Sequence, residues 1–225
     1  MAWLGTWAKR IQLTLDKDQV DAALSDFPVV IHLSGSSGIT SQDVTAVFSE
    51  LGSDANRKKI AVTTSDGETQ CYAEIEEWDH ASSEAWLHVN VPSVSDSVDT
   101  VLYLYYDSGQ SNNDSYVGDT GDAAAQAVWD NNFVAVYHMA QDPSGGDNSI
   151  LDSTDNARHG TPAGSMTSGD LVDTDHGKAI DFDNTDDLVN TGSWFNGSNS
   201  GFSLEALVKI NSILDNDDCI TGFSN

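Results

Sequence analysis

The chain has 225 residues and a formal net charge of -27, with 36 Asp and Glu residues against 9 Lys and Arg residues. Such an acidic surface repels the phosphates of nucleic acids and of anionic lipids, which argues against both as partners. The hydrophobic content of 39% is typical of a folded protein. Of the acidic residues 29 are Asp, a residue that favours turns and oxygen-rich cation sites over helix interiors.

Alternation of apolar and polar residues predicts a series of strands in the first half of the chain. The predicted strands are residues 11–16, 27–33, 59–64, 70–76, 85–91 and 100–106. A short helix is predicted from Ser41, its N-cap, to Glu50, because Val44, Val47 and Phe48 share one helical face. Turns rich in Ser, Asp, Gly and Pro separate the later strands, and this pattern indicates a β-sandwich.

Residues 107–120 are polar and lack apolar periodicity, and a short helix is predicted after them over residues 122–129. We interpret this stretch as the connection between two domains. Further strands are predicted at 133–139, 179–183, 187–190 and 202–210, with a loop-rich passage over 140–178. The predicted organisation is a first sandwich in residues 1–120, a linker helix in 121–130 and a second domain in 131–225.

The chain shows no targeting or membrane-spanning pattern. Its first ten residues place their charges after a broken apolar stretch, unlike a secretory signal. No stretch approaches the ~18 apolar residues of a membrane helix. Cys71 and Cys219 lack the spacing of a metal site, and two separate buried thiols are favoured over a disulfide between them.

Several motifs in residues 3–120 occur in a familiar order. They include Tyr-Ala-Glu-Ile-Glu-Glu-Trp at 72–78, Ala-Trp-Leu-His-Val-Asn-Val-Pro at 85–92 and Thr-Val-Leu-Tyr-Leu-Tyr-Tyr at 100–106. Together they resemble an uncharacterised β-sandwich domain family. The resemblance implies a setting in phage structural proteins or bacterial surface proteins, where this family often precedes a lectin-like module.

Motifs in the second region resemble a laminin-G-like, or concanavalin A-like, lectin sandwich. They lie at Val-Tyr-His-Met 136–139 and at residues 151–161, 177–183, 186–189 and 202–209. Such domains are usually longer than residues 131–225, so either the natural chain continues past Asn225 or neighbouring chains complete the sheet. The predicted fold class is all-β, with two consecutive jelly-roll-like β-sandwich domains, the second concanavalin A-like and incomplete.

The loop-rich passage carries the residues that we predict as a calcium site. They are Asp142, Asp147, Asp152, Asp155 and Asn156. Carboxylate and amide oxygens at turn positions suit the 6 to 8 oxygen ligands of Ca²⁺. A solvated acidic loop without an ion is the alternative, and it is favoured. For a second acidic group, Asp181, Asp183, Asp186 and Asp187, hairpin-turn and outer-face roles are favoured.

We expect no catalytic site. Glu74 and Glu76 share one strand face and could serve a retaining glycosidase if held about 5–5.5 Å apart. The spacing of the acidic residues departs from the glycosidase pattern, because Trp78 and Asp79 occupy the positions where that pattern has its Glu. No nucleophile elbow, zinc-protease motif or phosphate-binding glycine loop occurs, and the six scattered histidines are interpreted as packing or loop residues.

An aromatic loop, Trp194, Phe195 and Asn196, is the predicted glycan-binding site, although these aromatic residues could instead plug one end of the sandwich. The favoured function is a non-enzymatic virion structural or adhesion protein, a phage fibre or decoration protein on the virion surface. The alternatives are a fragment of a secreted bacterial adhesin on the cell surface and a non-catalytic module of a carbohydrate-active enzyme. The expected partners are other virion or surface subunits, further copies of the chain in a homo-oligomer, and host surface glycans.

Overall fold

The computed structural model describes residues 3–194 and 201–210, and strands dominate it. The strands are β1 (Arg10–Leu15), β2 (Leu24–Leu33), β3 (Ile60–Thr64), β4 (Gln70–Cys71), β5 (Ala73–Asp79), β6 (Glu84–Val94), β7 (Thr100–Tyr106), β8 (Val117–Asp119), β9 (Thr161–Ala163), β10 (Leu171–Thr174), β11 (Gly177–Ile180) and β12 (Leu188–Asn190). The α-helices are α1 (Ala46–Leu51) and α2 (Ala123–Gln126). The all-β prediction is confirmed.

Strands β1 to β8 form two four-stranded sheets. Sheet 1 has the order β1-β7-β3-β4 and is antiparallel throughout. Sheet 2 has the order β2-β6-β5-β8 and is antiparallel except for the parallel pair β5 and β8. The six strands predicted in this half of the chain all occur, with the one over 70–76 divided between β4 and β5.

The two sheets pack against each other through one apolar cluster. Sheet 1 contributes Ile60 and Leu104, and sheet 2 contributes Leu87 and Val89, all of them fully buried. Helix α1 adds Phe48 to the same cluster. Since successive side chains of a strand point to opposite faces, each sheet has a second face outside this cluster.

The chain before β1 covers the outer face of sheet 1. Leu4 and Trp7 pack against Tyr103 and Tyr105 there. The guanidinium of Arg10 lies 4.0 Å from the ring centre of Tyr103, within the range of a cation–π contact.

Residues 120–194, called the covering segment below, lie against the outer face of sheet 2. They contain α2 and two small antiparallel sheets, β10 with β11 and β12 with β9. Gly177, at a φ of +87°, sits close to sheet 2: a Cβ there would lie 3.3 Å from Trp86 and 3.1 Å from the Glu77 carboxylate. The next residue, Lys178, places its Nζ 3.6 Å from Glu77 Oε1. The covering segment therefore depends on sheet 2 for its position.

The strand predicted over residues 133–139 is wrong. The N–H of Val136 donates to the Asp152 carboxylate at 3.0 Å, and the carbonyl of Val136 accepts from the N–H of Ser153 at 2.9 Å. Met139 has a φ of +55°, which interrupts an extended chain. The apolar run is therefore held by a loop instead of by a neighbouring strand.

The strand predicted over residues 202–210 is also wrong, since the described residues 201–210 contain no strand. Leu204, Leu207 and Ile210 are exposed, so the alternating pattern finds no buried face in the described part of the chain. Residues 131–194 and 201–210 thus contain two small sheets and no second sandwich among the described positions. The concanavalin A-like second domain stays a prediction.

The helix predicted from Ser41 begins later, at Ala46. Ser41 has a φ of +53° and lies in a turn, while the Asp43 carboxylate accepts the N–H of Thr45 at 2.9 Å. The linker helix is also shorter than predicted, since α2 ends at Gln126.

Among the described residues, no helix is long and apolar enough to cross a membrane. Cys71 is buried between the sheets, and burial raises the pKa of its thiol to about 11. Cys219 lies outside the described residues, so the choice between two thiols and a disulfide stays a prediction.

Candidate functional site on the outer face of sheet 2

The pleat of β5 and β6 places polar side chains opposite the core. Ile75, Leu87 and Val89 point into the sandwich, so their neighbours point outward. Glu74 and His88 are directly paired across the two strands and both lie on this outer face. A carboxylate and an imidazole are thereby brought together beneath the covering segment.

A β-bulge adds a second carboxylate. Ile75 pairs with Leu87 and Glu77 pairs with Trp86, which leaves Glu76 as one extra residue in β5. Bulges re-aim side chains and occur often beside functional sites. Here the side chain of Glu76 reaches the same face, where its Oε2 lies 2.7 Å from His88 Nε2.

Glu74 is fully buried and joins three parts of the chain to the sheet. Its Oε1 accepts hydrogen bonds from Thr120 Oγ1 at 2.7 Å and from Ser153 Oγ at 2.8 Å. Its Oε2 accepts from the indole Nε1 of Trp129 at 2.7 Å. A buried carboxylate is stable only when it is paired and hydrogen-bonded, and Glu74 satisfies this through the covering segment.

His138 completes the arrangement. Its Nε2 lies 3.2 Å from Glu74 Oε2, without the alignment of a hydrogen bond, and its Nδ1 lies 3.5 Å from Glu76 Oε2. The rings of His138 and His88 stack, with centroids 4.4 Å apart and planes inclined at 27°. We call Glu74, Glu76, His88 and His138 the Glu–His cluster.

Glu74 and His138 form a buried carboxylate–imidazole contact, which is an ion pair when His138 is protonated. Burial alone disfavours charge on both partners, raising the pKa of Glu74 and lowering that of His138. Their mutual contact, with hydrogen bonds from Thr120 and Ser153 to Glu74, outweighs burial. The pKa of Glu74 is therefore below its ordinary value of 4.5, and that of His138 is above its ordinary value of 6.5.

A groove of about 320 Å³ opens beside Glu76 and gives the cluster a route to solvent. Arg57 and Asp119 form one side of it, joined by a two-pronged ion pair with N–O distances of 2.6 and 2.7 Å. Thr120 and Gln141 of the covering segment line it as well. The rest of its lining is apolar, from Ile75, Trp78, Ala140 and Leu151, so the groove is mixed in character.

The predicted calcium residues are not brought together in this way. Asp152 is buried, and its carboxylate accepts from the N–H groups of Val136, Thr154 and Arg158 and from Thr154 Oγ1. These donors occupy the oxygens that an ion would need. The calcium site stays a prediction, now without a free carboxylate at Asp152.

The other predicted calcium ligands serve the loop or face solvent. The exposed Asp142 caps a short 3₁₀ turn through the N–H of Ser144 at 2.8 Å. Asn156 donates to the carbonyls of residues 133 and 134, and Asp147 and Asp155 are exposed.

Among the described residues, two groups bring three metal-ligating atoms within 4.8 Å of one another. The first is Glu76, His88 and His138. The second is the exposed turn of Asp183, Asp186 and Asp187. There Asp183 accepts the N–H of Thr185 at 2.8 Å, which agrees with the predicted turn role.

Of the predicted aromatic loop, Trp194 lies among the described residues. Trp194 is half-buried, and the guanidinium of Arg158 lies 4.6 Å from the centre of its ring. Phe195 and Asn196 lie outside the described residues. The predicted glycan contact stays a prediction.

Sequence reasoning found the two glutamates and missed the two histidines. His88 could have been found, because alternation with Leu87 and Val89 places it on the same face as Glu74. His138 gave no such signal, because it lies in an irregular stretch that only the tertiary fold brings to the sheet.

Searches of protein-family models, of curated proteins and of solved structures found no match to the chain. The resemblances to a β-sandwich family and to a lectin-like sandwich therefore stay expectations.

Proposed function

We propose that the chain is a non-enzymatic structural or adhesion protein of a virion, a fibre or decoration protein whose lectin-like region attaches to surface glycans. The observation that carries the proposal is the enclosure of Glu74, which binds Thr120, Trp129 and Ser153. A retaining glycosidase needs two carboxyl groups, about 5–5.5 Å apart, that both reach the sugar. Glu74 would have to release the covering segment to do so.

The enclosure of Glu74 also gives the protein a mechanical property that suits display on a particle. Hydrogen bonds to one buried carboxylate fix residues 120, 129 and 153 on a single sheet. A binding region attached in this way keeps its orientation relative to the sandwich. Many oriented copies make weak glycan contacts useful, because multivalency raises avidity without a tight single site.

The glycan contact is assigned to the loop that begins at Trp194, where the sequence sets two aromatic residues among amide and hydroxyl groups. Other virion or surface subunits and further copies of the same chain are the proposed protein partners. Leu204, Leu207 and Ile210 are exposed and give a second copy apolar surface to cover. Light scattering over a range of concentrations measures this self-association.

The localisation is tested by immunogold labelling with antibodies against the purified chain. Labelling of intact phage particles from the source culture is the expected result. Labelling of bacterial cell surfaces in the absence of particles would replace the virion with the secreted adhesin. A glycan array probed with the chain on a multivalent support then measures binding, with Trp194→Ala as the variant and the exposed Trp3→Ala as its control.

Catalysis is tested separately with soluble oligosaccharides and product analysis. No cleavage is expected from the wild-type chain. Cleavage that disappears in both Glu74→Gln and Glu76→Gln, and persists in Glu84→Gln, would make the protein a glycosidase and overturn the proposal.

A further inference from the structure

We propose that Glu76, His88 and His138 bind one divalent transition-metal ion of the zinc class. This inference stands apart from the proposed virion function, because it rests on the geometry of the cluster alone. The three side chains present ligand atoms that all lie within 4.8 Å of one another. None of the three was a predicted metal ligand.

The donor set selects the class of ion. Two imidazole nitrogens and one carboxylate oxygen are ligands that zinc accepts, whereas Ca²⁺ and Mg²⁺ require mostly oxygen. Two ligands that are each about 2.0–2.1 Å from a tetrahedral zinc ion lie about 3.3 Å apart. The observed separations from Glu76 Oε2 are 2.7 Å to His88 Nε2 and 3.5 Å to His138 Nδ1, on either side of that value.

The protein also provides an orienting partner for one ligand. Glu74 Oε2 lies 3.2 Å from His138 Nε2, so the opposite nitrogen, Nδ1, faces Glu76. Metal-binding histidines commonly pair their second nitrogen with a carboxylate, which fixes the ring and raises its basicity. Glu74 is itself immobilised by hydrogen bonds from Thr120, Trp129 and Ser153. It acts as a positioning residue.

The ligands are nearly enclosed, yet one side remains open. The side chains of Glu76, His88 and His138 are 10%, 11% and 6% exposed. Glu76 lines the groove of about 320 Å³, which supplies an entry path. Three protein ligands leave a fourth position of a tetrahedral ion for water from the groove.

Binding requires two rearrangements. The hydrogen bond between Glu76 and His88 must open, and the stacked rings of His88 and His138 must turn until both lone pairs meet the ion. A proton competes with the metal at each imidazole, so affinity falls as the pH is lowered.

The test is calorimetric titration of the full chain, stripped of metal with EDTA, with Zn²⁺ alone. We expect one ion per chain in the wild type, and no measurable binding in His88→Gln or His138→Gln. The control is His32→Gln, since His32 lies on the same sheet, 2.8 Å from Glu84 and stacked on Trp86, outside the cluster. This variant should bind as the wild type does.

Two results would overturn the proposal. One is the absence of Zn²⁺ binding to the wild-type chain at neutral pH. The other is binding that survives in His88→Gln and His138→Gln but disappears in Asp183→Asn with Asp187→Asn, which would place the ion on the exposed turn.

If the histidine variants do not fold, a second measurement on the wild type tests the proposal. NMR of the ring nitrogens is expected to show Zn²⁺-dependent shifts for His88 and His138 and none for His32. Co²⁺ should give the visible absorption of a tetrahedral site at the same stoichiometry. Shifts confined to other histidines would contradict the assignment.

Discussion

The sandwich and the covering segment are stabilised in different ways. Between the sheets, apolar side chains such as Leu87, Val89 and Leu104 are fully buried, and burial of apolar surface is the main favourable term. In the covering segment, the buried run Asp152, Ser153 and Thr154 is polar. The sandwich thus folds around an apolar core, whereas the covering segment buries fewer apolar residues, among them Val128 and Ile150, and relies also on hydrogen-bonded carboxylates such as Asp152.

The difference has a consequence for cooperativity. A segment with few buried apolar contacts opens locally at a lower free energy than a sandwich core. The polar contacts of the covering segment end on side chains of sheet 2, chiefly Glu74 and Glu77. The sandwich can therefore remain folded when the segment detaches, whereas the segment needs the sheet.

The largest expected effect comes from Glu74→Gln. Removing the charge of Glu74 breaks its buried contact with His138 and is expected to reduce the free energy of unfolding by about 3–5 kcal/mol. Glu84→Gln is the matched control, since Glu84 pairs with His32 on the solvent side and its loss costs about 0–1 kcal/mol. Urea unfolding followed by tryptophan fluorescence measures both. An equal decrease in the free energy of unfolding in the two variants would contradict the stabilising role of the buried Glu74.

The second prediction concerns Asp152→Ala. The N–H groups of Val136, Thr154 and Arg158 lose their common acceptor, and each buried unsatisfied group costs about 1–3 kcal/mol. Hydrogen exchange should accelerate at these three amides and stay slow in β6 and β7. Asp155→Ala, at an exposed position of the same loop, is the control. Exchange that accelerated throughout the sandwich would mean that the two regions unfold as one unit.

The third prediction is a dependence of stability on pH. Because the pKa of His138 is raised above 6.5, its contribution is complete below that pH and is lost as the pH rises through the folded-state pKa. Because the pKa of Glu74 is lowered below 4.5, its contribution is present above that pH and is lost as the pH falls. The ion pair therefore stabilises the fold most between 4.5 and 6.5. Urea unfolding of wild type and His138→Gln, inside this window and well above it, should show the difference shrinking at the higher pH.

The smallest effect is expected from calcium. Asp152 could bind Ca²⁺ only by releasing its protein donors, so the predicted loop site has lost its buried ligand. For the chain already stripped of transition metal, added Ca²⁺ is therefore expected to raise the melting temperature slightly at most, and Mg²⁺ should raise it as well as Ca²⁺ does, through screening of the net charge. A rise specific to Ca²⁺ that disappears in Asp147→Asn would restore the loop site.

The difference between the sandwich and the covering segment also explains which elements could be predicted from the sequence. Strands β1 to β7 follow from alternating residues, because burial of one sheet face imposes a period of two. The alternation also placed Glu74 and Glu76 on one face. The apolar run at 133–139 wrongly predicted a strand. Its backbone is hydrogen-bonded to Asp152 and Ser153, and no local sequence pattern predicts which loop will supply such partners.

Only the sheet residues of the candidate site could be predicted from the sequence, for the same reason. Its sheet residues obey the strand period, but His138 reaches them from irregular chain, by contacts that are distant in sequence. Short strands such as β9 and β10 were missed because three or four residues carry too little pattern.

The bulge at Glu76 adds a carboxylate to the candidate site without changing which residues of the sheet face the core. Pairs on both sides of it keep the inward and outward order, with Ile75 opposite Leu87 and Glu77 opposite Trp86. Deletion of the single codon for Glu76 would join these pairs into an unbroken ladder without reversing any side chain. One gene edit would thus remove one proposed ligand, Glu76, while the pairs on both sides of it kept their register.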